Sequence, residues 1–119
     1  MITTAMLQLI EQAGEGVLVL IDGLEEADFR RSKLTRQEVR HQLALVADTL
    51  AGLPGRAQQA MPEIAWPGWR AVSQALAQTG PASDETAWFA ARSLVPATLS
   101  WLRVYRQSEP TLFSFAPPR

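Results

Sequence analysis

The stretch Pro62–Pro96, PEIAWPGWRAVSQALAQTGPASDETAWFAARSLVP, decides the fold because it predicts two successive helices and the break between them. Pro67 suits the first turn of a helix that we expect to run to about Gln78, since an amide at that point has no intrahelical partner to lose. The pair Gly80 and Pro81 ends this helix, because both residues interrupt regular helical backbone.

The last helix is predicted to begin near Ser83 and to run to about Gln107. Acidic residues in its first turn are favourable against the helix dipole. Pro96 should kink this helix, because proline lacks a backbone donor and clashes with the preceding turn. Its apolar face recurs at steps of three and four and comprises Trp88, Ala91, Val95, Thr98 or Leu99, Leu102 and Tyr105.

Working outward, two more helices precede this stretch. A first helix is predicted from Ile2 to Ile21, where glycines favour close contact with another helix. A short connector follows, and its Phe29 should fill the core. Thr35 and Glu38 predict a capping box at the start of the next long helix. The apolar stripe of that helix comprises Val39, Leu43, Val46, Leu50 and Leu53.

Composition limits the class of protein. The chain has 119 residues, 47% of them hydrophobic, which suits one domain with a modest core. It has no cysteine and one histidine, so we expect no metal and no cofactor. Glu11 and Glu15 interrupt the first apolar run, so we expect no membrane segment and a cytoplasmic protein. We predict a helical domain over 1–108 and an extended proline-rich tail over 109–119, with apolar Leu112, Phe113 and Phe115.

Markers spread along nearly the whole chain resemble one known family, the HepT-like branch of the HEPN superfamily. The markers are Pro62, Ile64, Trp66, Trp88, Leu94 and Pro96, with IDGLEEADF at 21–29 and VADT at 46–49. Members are small helical bacterial proteins, usually homodimers, that cleave RNA as toxins and pair with a minimal nucleotidyltransferase. The resemblance implies an all-α fold, a four-to-five-helix up-and-down bundle.

The same resemblance indicates that the catalytic residues are missing. In the family's register Ser73 stands where the family has an arginine, Gln78 where it has a histidine and Gly80 where it has a tyrosine. None of these can supply a permanent charge or exchange a proton near neutral pH. We therefore expect a catalytically inactive domain that acts by binding protein, with a minimal nucleotidyltransferase as partner.

Two alternatives stay open. Arg36 and His41 repeat the Arg-x-x-x-x-His spacing on another helix, so a metal-independent RNA endonuclease with rearranged residues, including Arg70, is conceivable. Residues five apart on one helix point about 140° away from each other, which disfavours this pair. The other alternative is a helical scaffold without RNA function.

Charge is unevenly distributed. The first 29 residues hold six acidic side chains and no Lys or Arg. The next segment, here called the basic segment, carries Arg30, Arg31, Lys33, Arg36 and Arg40. If RNA or another polyanion binds, these residues should contact its phosphates. A short basic run beside an acidic one is more often a set of salt bridges, so RNA binding is the less favoured expectation.

The four tryptophans are expected to be structural rather than base-stacking. Large aromatic residues in a small helical domain usually lie in the core or in an interface. Trp66 and Trp88 match family positions and favour the core. Trp101 lies off the apolar face of its helix, which favours a place in a dimer interface. Together with the apolar tail residues Leu112, Phe113 and Phe115, it predicts a homodimer, since a lone small domain would leave this surface exposed.

Overall fold

The computed structural model describes residues 2–113 and confirms the predicted all-helical bundle. Four long helical stretches form it, and shorter helices fill the connections. The elements are α1 (Ile2–Ile21), α2 (Glu26–Arg31), α3 (Lys33–Ala51), α4 (Gly55–Ala60), α5 (Trp66–Leu76), α6 (Pro81–Phe89), a π-helical turn (Ala90–Leu94), α7 (Val95–Ser108) and a 3-10 turn (Pro110–Phe113).

Helix α1 packs on α3 and α7. Its inward positions Leu7, Ile10 and Val17 are fully buried. Gly14 permits close approach to α7, since a Cβ there would lie 3.0 Å from Leu99 Cδ2. By length and composition α1 is apolar enough to span a membrane, but the core helix of a soluble bundle meets the same test.

The start of α3 differs from the prediction, although its core face does not. Thr35 is not the N-cap: the helix begins at Lys33, and the Ser32 hydroxyl accepts a hydrogen bond from the Thr35 amide at 3.3 Å. Serine caps helices at least as well as threonine, and Ser32, three residues earlier, is the N-cap here. All five residues of the predicted stripe are buried: Val39, Leu43, Val46, Leu50 and Leu53.

The predicted connector before α3 is itself a short helix, α2. A capping box stabilises its start, in which the Glu25 amide donates to Asp28 Oδ2 at 2.9 Å. Phe29 is fully buried, as expected, and its ring lies 5.2 Å from that of Trp88. Helix α4 was not predicted by the sequence pattern either.

The break between α5 and α6 is confirmed. Pro67 lies in the first turn of α5, and Gly80 has a φ of 106°, a left-handed conformation that favours glycine. The next helix begins at Pro81, two residues before the predicted start near Ser83.

The last long helix contains a π turn rather than only a proline kink. The Val95 amide donates to the carbonyl of Ala90, five residues back, instead of four. The next residue is Pro96, which has no backbone N–H donor and lies in the first turn of α7. The position that lacks a backbone donor therefore coincides with the point where the hydrogen bonds change from five-residue to four-residue spacing.

The described part of the tail packs on its own chain. Residues Pro110–Phe113 form a 3-10 turn instead of an extended arm. The Thr4 hydroxyl donates to the Leu112 carbonyl at 3.1 Å, and the Arg106 guanidinium lies 4.6 Å from the Phe113 ring centre. Phe115 lies outside the described residues.

Candidate functional site

A shallow cleft of about 160 Å³ lies between α3, α4 and α5. It is lined by Ala47, Leu50, Ala51, Gln58, Trp66, Trp69, Arg70 and Ser73. Of Ser73, Gln78 and Gly80, the three positions that the sequence resemblance aligns with catalytic residues, only Ser73 lines this cleft. Ligand pockets usually measure several hundred cubic ångströms, so the cleft can hold one side chain but not a nucleotide.

The other two positions lie outside the cleft, at the exposed junction between α5 and α6. Gln78 is exposed, and its carbonyl accepts a hydrogen bond from Arg40. Gly80 is also exposed and precedes α6. Gln78 and Gly80 therefore do not share the cleft that Ser73 lines.

Arg36 and His41, the alternative catalytic pair, do not interact as an acid–base pair. Arg36 donates to the Arg30 carbonyl and lies 4.0 Å from a carboxylate oxygen of Asp84 on α6. The His41 side chain is exposed. Within the described chain, no hydrogen bond or ion pair joins Arg36 to His41.

The basic segment is largely paired with acidic side chains of the same chain. The N–O distances are 3.0 Å for Arg30 to Glu26, 2.8 Å for Arg31 to Asp28, 4.0 Å for Arg36 to Asp84 and 3.5 Å for Arg40 to Asp84. Lys33 has no ion pair among residues 2–113. A phosphate would have to compete with these intramolecular carboxylates.

Arg40 joins three helices. From α3 its guanidinium donates to the Ser83 hydroxyl at 2.7 Å, to the Gln78 carbonyl at 2.8 Å and to the Leu76 carbonyl at 3.2 Å. Leu76 is the last residue of α5, where helical carbonyls lack intrahelical partners, and Gln78 lies two residues beyond it. Arg40 is therefore a positioning residue that fixes the junction between α5 and α6.

Asp28, an acidic neighbour of the basic segment, has a lowered pKa. The hydrogen bond from the Glu25 amide, and then the hydrogen bond and charge of Arg31, hold the pKa of Asp28 below its ordinary value, while partial burial opposes them. The charged form of Asp28 is thus part of the cap of α2.

An exposed apolar strip, here called the outer stripe, runs along the last long helix. It consists of Phe89, Ala97, Trp101 and Val104, with the small residue Ser93 between them. Phe89 is 58% exposed, Trp101 38% and Val104 50%. The Trp101 ring stacks on Tyr105 with ring centres 5.9 Å apart. Exposed apolar side chains that share one helical face are a candidate surface for protein binding.

The π turn is what aligns the outer stripe. Phe89 and Ala97 are eight residues apart, which on an uninterrupted α-helix places them about 80° apart. A π turn takes up one extra residue, so the pair behaves as if seven residues apart and lies within about 20°. Phe89 thereby joins the face that carries Trp101 and Val104.

The flank of the outer stripe is basic. Arg92 and Arg103 are exposed on one side of it, and no Asp or Glu occurs between Glu85 and Glu109. The Arg92 guanidinium lies 5.5 Å from the ring centre of Trp88. In the part of the chain that the structure describes, neither Arg92 nor Arg103 has a carboxylate partner.

Sequence reasoning found part of this surface. Trp101 was predicted at an interface, and it is exposed. Phe89 was missed, because a constant helical period places it on another face. Trp66 and Trp88 are half-buried against the core, and Trp69 is buried with its indole N–H donating to Thr98 Oγ1 at 2.9 Å.

Fold and surface together define an all-α helical bundle with one basic-flanked apolar stripe. Residues 2–113 contain no group of three or more His, Asp or Glu side chains that could hold a metal ion. A comparison with family models, curated proteins and solved structures found no match.

Proposed function

We propose that this protein is a catalytically inactive helical domain that works by binding another protein. The observation that carries the proposal is the outer stripe, an apolar surface about four helical turns long. A partner that covers this surface removes apolar area from water, which favours binding.

The sequence resemblance supplies the proposed setting. A HepT-like domain with Ser73, Gln78 and Gly80 at the catalytic positions would retain the family's partner, a minimal nucleotidyltransferase, without its nuclease activity. The location of Ser73 in a cleft too small for a nucleotide supports the loss of catalysis.

The alternatives have less support. Arg36 is held by Asp84 and the Arg30 carbonyl, so nuclease chemistry with His41 would require breaking those contacts. The homodimer proposed from sequence loses part of its basis, because Leu112 and Phe113 pack against the chain's own core. A helical scaffold without any partner would leave the outer stripe unexplained.

The test is site-specific photocrosslinking in the host cell. A photoreactive amino acid replaces Val104 in the outer stripe, and a matched control replaces Leu34 on α3, which is 79% exposed and lies off the stripe. We expect a discrete crosslinked protein from position 104 and none from position 34. Mass spectrometry of the product would show whether it is a nucleotidyltransferase.

Two results would contradict the proposal. If positions 34 and 104 give the same background pattern, the outer stripe does not bind protein. If an additional Phe89→Lys substitution leaves the Val104 product undiminished, the contact does not depend on the stripe.

A further inference from the structure

The shape of the outer stripe fits one partner helix. Phe89 and Val104 are separated by 15 residues, or about 22 Å of helix. Large side chains lie at its two ends, whereas Ser93 and Ala97 between them are small and exposed. Small residues at the middle of a stripe let a second helix approach closely, and an amphipathic helix docks through residues spaced three and four apart.

The charge of the flank specifies the partner's chemistry. A helix lying on the outer stripe would cover part of Arg92 and Arg103, neither of which has a carboxylate neighbour in the described chain. Covering an unpaired cation costs free energy unless the partner supplies an opposite charge. Acidic residues on the facing flank would supply it and would accelerate encounter.

The same charges disfavour antiparallel pairing with a second copy of this chain. When two copies pair their outer stripes antiparallel about a two-fold axis, the same flank of each helix meets itself. Arg92 and Arg103 of both copies would then crowd one edge of the interface without acidic partners. Repulsion between these like charges weakens such pairing.

We infer that the outer stripe binds an amphipathic helix of another protein, with acidic residues on the side that faces Arg92 and Arg103. This inference rests on the proposed function, since it names the chemistry of the partner that the stripe would bind.

The experiment uses two stapled helical peptides as probes. Both carry leucines at alternating spacings of four and three residues, with either glutamate or lysine at all flanking positions. Binding to the full chain is measured by fluorescence anisotropy at low and at high salt. We expect the glutamate peptide to bind about tenfold more tightly, the effect of two partly screened ion pairs, and to weaken with salt.

A charge exchange tests the named residues. The double variant Arg92→Glu with Arg103→Glu should reverse the preference, so that the lysine peptide binds more tightly. The control is Arg56→Glu with Arg70→Glu, two exposed positions off the outer stripe that make the same change in net charge. It should keep the preference for glutamate.

Three results would overturn the inference. Equal binding of both peptides would remove the role of charge. A stripe-dependent dimer in sedimentation at micromolar concentration, lost in Phe89→Lys with Val104→Lys, would assign the stripe to a second copy. Absence of binding by either peptide, while crosslinking at position 104 still traps a protein, would refute the acidic helix and leave the proposed function standing.

Discussion

Arg40 on α3 donates to the hydroxyl of Ser83 on α6 at 2.7 Å, across a sequence separation of 43 residues. The same guanidinium also binds the carbonyls at the end of α5. This cation was predicted as a possible phosphate ligand, yet its donors are already directed at the protein's own backbone. Its first role is to hold three helices together.

Arg40→Ala should therefore destabilise the fold by about 1–3 kcal/mol, because it removes charge-assisted hydrogen bonds to the Leu76 and Gln78 carbonyls and leaves the Ser83 hydroxyl, at 3.1 Å, as the side-chain donor to Gln78. Urea unfolding followed by circular dichroism measures the change. Arg31→Ala is the control, since its side chain is 75% exposed and its ion pair with Asp28 is screened by solvent, so it should contribute little to stability. Equal effects of the two changes would show that Arg40 is only another surface cation.

The two glycines of α1 should respond differently to alanine. Gly16→Ala should stabilise the protein by about 0.5–1 kcal/mol, because alanine is the better helix former and a Cβ there meets only Gln42, at 4.0 Å. Gly14→Ala should gain less or lose stability, because its Cβ would press on Leu99 at 3.0 Å. Thermal unfolding of both variants decides this, and the reverse order would contradict the close packing of α1 on α7.

The pKa of Asp28 should lie below its ordinary value, because the Glu25 amide and Arg31 both favour the carboxylate. A carboxyl whose pKa is depressed by folding adds stability above its unfolded pKa, and that stability is lost as pH falls through the folded pKa, below about pH 4. NMR titration of Asp28 in the wild type and in Arg31→Ala measures it. The variant's pKa should rise but stay low, since the amide is the larger cause, and an unchanged pKa would refute the contribution of Arg31.

The purified protein should not cleave RNA by the family mechanism. The one histidine lies on α3, and loss of a general acid–base group alone costs about 10² to 10⁴ in rate. Assays on single-stranded RNA and tRNA should give the same background for wild type, Arg36→Ala and His41→Ala. Cleavage that leaves a cyclic phosphate and disappears in either variant would identify that pair as an active site.

Introducing the catalytic residues of the family that the sequence resembles should not confer nuclease activity. In the triple variant Ser73→Arg, Gln78→His and Gly80→Tyr, the three positions do not share the cleft, and tyrosine at a φ of 106° is strained. Toxicity regained in cells, compared with the single Ser73→Arg variant, would show that a rearrangement of the α5–α6 junction brings them together.

Local signals account for the elements that the sequence predicted well. The buried stripe of α3 follows from its spacing, and the break at Gly80 follows from the backbone freedom of glycine beside a proline. Short helices such as α2 and α4 were missed, because six residues contain too few turns for a period to be recognised. The position of the α3 cap was wrong by three residues, since Ser32 and Thr35 compete for the same role.

Local sequence pattern was enough to predict that this protein is helical, where its main breaks lie and that the stripe of α3 is buried, because those properties depend on neighbours within a few turns. Only the tertiary structure decided which cations are neutralised, since Arg36 and Arg40 meet Asp84 across more than 40 residues of chain. The tertiary structure also showed that Phe89 joins the outer stripe. One π turn rotates the residues before it relative to α7, and a constant helical period of about 3.6 residues does not predict that rotation.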